Sequence, residues 1–139
     1  MPFERNKGQT ERAYLVGLAP DSRKKADVAE SLDELRFLAY SVGAQVVGRR
    51  IQVRPKPDPA FYIGRGLVDE IRIEMEKVNA DCLIFDDPLA PVQQRNLEEA
   101  LKVKVIDRPI LILDLFATRA KTAAARLQVE LAQLEYTLP

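Results

Sequence analysis

The residues best suited to bind a phosphate are Gly64, Arg65 and Gly66, which directly precede a predicted helix. Glycines let the backbone approach a phosphate closely, and a helix N-terminus supplies free amides and partial positive charge. The three residues form neither a Walker A loop nor a complete dinucleotide fingerprint, and they follow a proline-rich linker instead of a strand. A nucleotide phosphate is therefore one hypothesis. A turn whose glycines supply left-handed backbone is the other.

Carboxylates follow both strands of a predicted strand–helix–strand unit. Asp86 and Asp87 come directly after the strand Cys82–Phe85, and Asp107 follows the next strand. Because open α/β sheets bind ligands at the carboxyl ends of their strands, Asp86 and Asp107 join the loop at 64–66 as candidate nucleotide-binding residues. Asp86 and Asp87 together could hold Mg²⁺. The favoured interpretation of this pair is a solvated turn initiated by the second aspartate before a proline.

The sequence contains no histidine and one cysteine, Cys82, in a predicted buried strand. The commonest general base and metal ligand is thus absent, and a zinc cluster or an intrachain disulfide is excluded. No nucleophile is accompanied by a plausible base. We therefore predict neither a catalytic residue nor a metal site, and we interpret Cys82 as a small core hydrophobe.

A set of basic and amide side chains could contact RNA phosphates, on the third predicted helix and around the start of the last one. The set is Arg95, Asn96, Arg108, Arg119, Lys121 and Arg126. Such side chains suit a phosphate backbone. A surface of solvated ion pairs is the alternative.

The composition is that of a single globular domain without a strong global field. The 139 residues carry 21 Lys and Arg against 21 Asp and Glu, with 47% hydrophobic residues. Residues 1–65 have 12 basic and 8 acidic side chains (+4), and residues 66–139 have 9 and 13 (−4). No apolar run is long enough to span a membrane, and residues 1–10 lack the apolar core of a signal peptide. The expected location is the cytoplasm.

The elements that must position these side chains alternate between strand and helix. Ser31 and Glu34 form a predicted capping box after a charged connection, and alternation from Arg50 to Arg54 places that strand at an edge. The order predicts an α/β fold: a four-stranded, mainly parallel sheet in the order 2-1-3-4 with helices on both faces. The predicted strands are 12–18, 45–54, 82–85 and 103–106, and the predicted helices begin at Ser31, Leu67 and Pro91, followed by 110–117 and 122–138.

The last predicted helix carries an apolar seam of leucines. Leu127, Leu131, Leu134 and Leu138 are spaced four, three and four residues apart, as in a coiled coil. We expect the chain to self-associate through this seam or to fold it against its own sheet.

Five short sequence motifs stand out in the chain. They are SLDEL at 31–35 with Gly43–Ala44; DPAFYIGRG at 58–66; IFDD at 84–87 with QQRNLE at 93–98; VIDR at 105–108 through LDLFA at 113–117; and LQVELAQLEY at 127–136. In this order and spacing they resemble the N-terminal domain of the HflX family of translational GTPases. The resemblance covers nearly everything from Arg12 to Pro139.

The resemblance implies a flexible terminus at 1–11, the α/β domain at 12–120 and the first arm of a truncated helical hairpin at 121–139, with the G domain absent. It implies that the intact protein binds GTP with Mg²⁺, docks on the large ribosomal subunit and its rRNA, and splits or rescues ribosomes. No cofactor is expected in residues 1–139 themselves, although ATP binding has been proposed for this domain. The alternatives are an ATP-binding regulatory module and an inert scaffold that dimerises through its last helix.

Overall fold

The structure, a computed structural model, describes residues 10–137 and the side chains of residues 10–135. Residues 1–9 of the predicted flexible terminus and Leu138 of the predicted seam lie outside the described residues. The elements are β1 (Glu11–Ala19), a 3-10 turn (Ser22–Lys24), α1 (Lys25–Ser41), β2 (Ala44–Val53), α2 (Arg65–Lys77), β3 (Cys82–Phe85), α3 (Pro91–Leu101), β4 (Lys104–Asp107) and α4 (Arg108–Thr137).

The four strands form one parallel sheet in the order β2-β1-β3-β4. The predicted fold class and strand order are therefore confirmed, including the edge position of β2. Every residue of β3 is buried, whereas burial along β2 is partial. This difference is expected, because a central parallel strand is covered on both faces and an edge strand is not.

Alternate residues of the strands point into two separate cores. Leu15 and Ile84 pack beneath α1 and α4, together with Leu32, Leu35 and Leu111 of those helices. On the opposite face of the sheet, a second core lies beneath α2 and α3. Its members include Val16, Leu83, Phe85, Ile71 and Leu97.

The first helix starts earlier than the sequence pattern predicted, so the capping box at Ser31 and Glu34 is wrong. Asp21 Oδ1 accepts a hydrogen bond from the Arg23 amide at 2.9 Å and caps the 3-10 turn, which leads directly into α1 at Lys25. Ser31 lies inside α1. The predicted end is confirmed: Gly43 follows the helix with φ +93°, a conformation that suits glycine.

The two predicted C-terminal helices are one continuous helix, α4. Residues 110–137 contain neither glycine nor proline, so nothing in the backbone interrupts the helix. Thr118 and Thr122, near the predicted break, donate their hydroxyl groups to the carbonyls of Asp114 and Thr118 one turn earlier, at 2.9 and 3.0 Å. Both threonines are thereby accommodated within the helix.

Cys82 is fully buried in the core under α1, as predicted. Burial, with a smaller contribution from the charge of Glu11, raises the pKa of its thiol to about 12. Within residues 10–137, none of the helices combines the length and apolar character needed to cross a membrane.

Candidate functional site

The carboxyl ends of the strands meet along one edge of the sheet, where all the predicted nucleotide-binding residues and Arg108 lie. The Arg54 amide donates to Ala19 O at 2.8 Å, which ties the end of β2 to the end of β1. The Asp86 amide donates to Val16 O at 2.9 Å, which ties the end of β3 to the same strand. Because the strand order reverses between β1 and β3, this edge is the place where open α/β folds bind ligands.

The loop after β2 is organised by Asp58. Its Oδ1 accepts hydrogen bonds from the amides of Ala60 and Phe61 at 2.8 and 2.9 Å, and its backbone pairs with that of Tyr62. These amides hold the pKa of Asp58 below its ordinary value of 3.8, and the Arg54 guanidinium adds to the effect. The loop thus reaches α2 in one defined conformation.

Gly64 and Gly66 do not supply left-handed backbone, so that explanation of the two glycines is wrong. The left-handed residue of this loop is Tyr62, with φ 68°, whereas Gly64 is extended with φ −63° and ψ 147°. Gly64 is buried and donates its amide to Gln52 Oε1 at 2.8 Å, and a Cβ there would lie 3.1 Å from Gln52 Nε2. The space beside Gly66 is open. Gly64 is thus explained by close packing.

Asp87 binds Tyr62 and does not form a merely solvated turn. The Tyr62 hydroxyl donates to Asp87 Oδ2 at 2.8 Å, and its ring packs edge-on against Phe85 at a centroid distance of 5.7 Å. Burial, and then the bond to this carboxylate, raise the pKa of the Tyr62 hydroxyl. The pair fastens the loop after β2 to the loop after β3.

Asp86 and Arg108 form the most enclosed ion pair of this edge. Arg108 Nε and Nη2 donate to Asp86 Oδ1 at 2.9 and 2.7 Å, and the Asp86 side chain is 8% exposed. Nη2 also donates to Ser31 O at 2.8 Å and Oγ at 3.1 Å, while Nη1 lies 3.6 Å from Glu34. Arg108, predicted to meet RNA, thus joins β3, α1 and α4 inside the domain.

Asp107 holds a loop and a helix start. Its Oδ2 accepts from the Leu89 amide at 2.9 Å, and its Oδ1 accepts from the Ile110 amide at 3.2 Å, capping α4. Asp86, Asp87 and Asp107 therefore all have protein partners. In the described part of the chain, His, Cys, Asp and Glu side chains nowhere gather in a group of three suited to a metal ion.

The polar turn of α3 at 93–96 also serves the fold. Gln93 Nε2 donates to Asp58 O at 2.9 Å and Asn96 Nδ2 to Ala60 O at 3.0 Å, while Gln93 Oε1 accepts from the Ala90 amide at the start of α3. Asn96 is therefore half-buried against the loop after β2. Arg95 is exposed and has no hydrogen bond or ion pair to any described residue.

The remaining predicted RNA-binding residues, Arg119, Lys121 and Arg126, lie exposed on α4 and make no ion pair within residues 10–135. They stay predictions. The structure does not bring them near Arg95 on α3, and Arg108 is held separately at the sheet edge. Sequence reasoning did not single out four further cations, which lie in the 3-10 turn after β1 and in the loop after β2: Arg23, Lys24, Arg54 and Lys56. Their position after two strand ends was the available signal.

The described seam leucines are exposed. Leu127, Leu131 and Leu134 are 57%, 51% and 58% exposed, so the alternative that the seam folds against the sheet is wrong. At about 100° per residue, the seam points away from Leu111, the residue through which α4 enters the core. Self-association stays a prediction.

Comparison with known proteins identifies the family. Residues 29–117 match the model of the GTP-binding GTPase N-terminal family. This chain belongs to that family. Members with curated names include the GTPase HflX of Flavobacterium psychrophilum, 40% identical over 93% of this chain and 31% of that protein, and the GTPase HflX of Caldanaerobacter subterraneus, 44% identical over 93% and 29%. The resemblance to the HflX N-terminal domain is confirmed. The chain spans about a third of the length of these relatives.

A solved structure supports the same assignment of fold. A GTP-binding protein from Sulfolobus solfataricus, crystallised in complex with GDP, is 26% identical and superimposes with a TM-score of 0.56. The match covers 94% of this chain and 38% of that one. This chain therefore shares its α/β fold with part of an archaeal GTP-binding protein.

Proposed function

We propose that this chain is the ribosome-docking N-terminal domain of an HflX-type GTPase and performs no catalysis itself. The observation that carries the proposal is its similarity to HflX GTPases across 93% of its own length and only about a third of theirs. The intact protein would bind GTP with Mg²⁺ elsewhere, bind the large ribosomal subunit in the cytoplasm, and split or rescue ribosomes.

The contacts at the carboxyl edge favour docking over catalysis. A catalytic carboxylate must reach its substrate, yet Asp86, Asp87 and Asp107 accept hydrogen bonds from Arg108, Tyr62 and two backbone amides. Cys82 is buried with a pKa of about 12, so it is not a ready nucleophile. The exposed cations, by contrast, are available to phosphates.

Co-sedimentation with purified large ribosomal subunits tests the proposal. Binding should weaken steeply between about 0.05 and 0.2 M KCl, because phosphate contacts release counterions. Replacing Arg119, Lys121 and Arg126 with glutamine tests the predicted contacts on α4 and should reduce binding at low salt. Absent or salt-independent binding of the unaltered chain would contradict ribosome docking.

A second candidate function is ATP binding at the start of α2. The favouring observation is the Arg54 guanidinium, whose Nη1 would lie 3.4 Å from a Cβ on Gly64, beside the exposed Arg65 and Gly66. Calorimetry with ATP and GTP, with and without Mg²⁺, tests it. A saturable heat of ATP binding that the Gly66→Ala variant lacks would establish this site. We expect no heat of binding with either nucleotide, and that result leaves docking as the activity of this domain.

A further inference from the structure

Cations concentrate over the β2–β1 half of the carboxyl edge. Three segments converge there: 20–25 after β1, 54–58 after β2, and 64–66 at the start of α2. Their basic residues are Arg23, Lys24, Lys25, Arg54, Lys56 and Arg65, and their acidic residues are Asp21 and Asp58. Six positive and two negative charges give +4, within a sequence whose total charge is zero. The positive charge is thus local to this half of the edge.

Contacts of Arg54 join the loop after β2 to the end of β1 and to the start of α2. Arg54 is tied to the end of β1 through Ala19 O, and its Nε donates to Lys56 O at 2.8 Å. Its Nη2 lies 3.8 Å from Asp58, and its Nη1 borders Gly64. The amides of Phe61 and Ala60 lower the pKa of Asp58 most, and the positive charges of Arg54 and Arg65 add to the effect.

The two carboxylates within these segments balance at most two of the six positive charges. Asp58 accepts from two loop amides, and Asp21 accepts from the Arg23 amide. The ion pair of Arg23 with Asp21 is 3.4 Å long, with the arginine side chain 89% exposed. Lys24 lies 3.8 Å from Asp27, one turn further along, and both are largely exposed. Exposed pairs of this kind contribute little and release their cations readily.

The other half of the edge has a different character. Over β3 and β4 lie three aspartates whose partners are internal, as described above, including the enclosed Asp86–Arg108 pair. The edge is thus divided into an open basic half and a closed, internally bonded acidic half. A polyanion would be attracted to the first half more strongly than to the second.

We infer that this basic half, the residues Arg23, Lys24, Lys25, Arg54, Lys56 and Arg65, is a surface for the phosphate backbone of RNA. The cations are spread over three segments, which suits successive phosphates of a polymer. The Arg65 guanidinium also lies over the Phe61 ring, 5.7 Å from its centroid, and offers a flat face on which an unpaired base can stack. That this RNA is ribosomal rests on the ribosome docking proposed above.

A charge-matched pair of triple variants tests the inference. Arg23→Gln, Lys56→Gln and Arg65→Gln remove one exposed cation from each segment and leave Arg54, which supports the loop. The control, Arg36→Gln, Arg72→Gln and Lys77→Gln, removes three exposed cations from the C-terminal halves of α1 and α2, towards the opposite edge of the sheet. Both variants should have the same circular dichroism spectrum and thermal unfolding curve as the unaltered chain, which shows that they are folded.

Two probes separate the surface from the wider function: a fluorescein-labelled, mixed-sequence RNA of roughly 20 nucleotides, and purified large subunits. The test variant should lose about 10- to 100-fold in RNA affinity at about 0.1 M KCl, with a salt slope smaller by about 2. The control should change less than about threefold on both probes, because it removes no phosphate contact.

The outcomes are distinguishable. If the chain binds RNA through the test residues but does not bind large subunits, the RNA-binding surface is supported and ribosome docking is rejected. Subunit binding equal in the test variant and the unaltered chain would overturn the surface and leave docking in place. Equal losses in the test and control variants, or displacement of the RNA by ATP, would also overturn it.

Discussion

One carboxylate oxygen of Asp86 accepts two hydrogen bonds from Arg108, from Nε at 2.9 Å and from Nη2 at 2.7 Å. The first residue of α4 is thereby bonded to the end of β3. Since the same guanidinium also reaches Ser31 of α1, one side chain joins the start of the last helix to both β3 and α1.

Arg108→Ala should destabilise the domain by about 2–3 kcal/mol, because it leaves the enclosed Asp86 carboxylate without its cation. Arg108→Lys should recover only part of this loss, since an ammonium group cannot reproduce the two-pronged contact. Urea unfolding measures both. Arg119→Ala, at an exposed position of the same helix, is the control and should change stability by less than about 0.5 kcal/mol. Equal stability of the Arg108 and Arg119 variants would show that the pair is dispensable.

Gly48→Ala should cost about 1–3 kcal/mol through overpacking. A Cβ at Gly48 would lie 2.7 Å from Tyr14 Cε2, and the Tyr14 ring is buried with its hydroxyl bonded to Glu74. Thermal and urea unfolding measure the effect. Gly66→Ala is the matched control, because it enters open space within α2 and should stabilise by up to about 1 kcal/mol. Opposite signs for the two variants are expected, and equal effects would contradict the packing argument.

The carboxylate of Asp58 should make stability depend on pH in the acid range. Its folded-state pKa lies below the ordinary 3.8, so its contribution is fully present above that value and is lost as the pH falls through the folded pKa. Asp58→Asn keeps an oxygen acceptor but has no charge to lose. Urea unfolding from pH 7 to pH 3 should therefore give a stability gap between the two proteins that narrows below about pH 4. A gap independent of pH would contradict the assignment.

The exposed seam of α4 should associate with a second copy of this chain. Leu127→Glu with Leu131→Glu should shift the protein to a monomer in analytical ultracentrifugation, because charges replace apolar seam positions. Val129→Glu is the control: its exposure, 57%, equals that of Leu127, but it lies on the opposite side of the helix. An unaltered chain that stays monomeric at all concentrations would reject self-association.

The sheet could be predicted from the sequence because its evidence is local. The apolar run at Cys82–Phe85 and the alternation from Arg50 to Arg54 each report the environment of one strand, and the order of elements restricts the topology. The start of α1 was missed because a capping-box pattern also occurs inside helices. Here Asp21 caps a 3-10 turn, and residues 25–30, which lack an apolar period, form the first turns of α1.

The site was less predictable because its contacts join residues distant in sequence. Arg108 and Ser31 are 77 residues apart, and Asn96 and Ala60 are 36 apart. A polar side chain at the surface of a predicted helix carries no local sign that it bonds inward. The predicted RNA contacts therefore mixed exposed cations such as Arg95 with side chains that hold the domain together.

The continuous helix α4 also has a mechanical consequence. Beyond Thr118 all its described side chains are exposed. Residues 119–137 therefore form a helical segment about 28 Å long that projects from the domain. A tilt of about 10° at its base would swing the tip by about 5 Å, given that length. A shift of Arg108 against α1 that tilted the base of α4 would therefore be magnified at the far end of the helix.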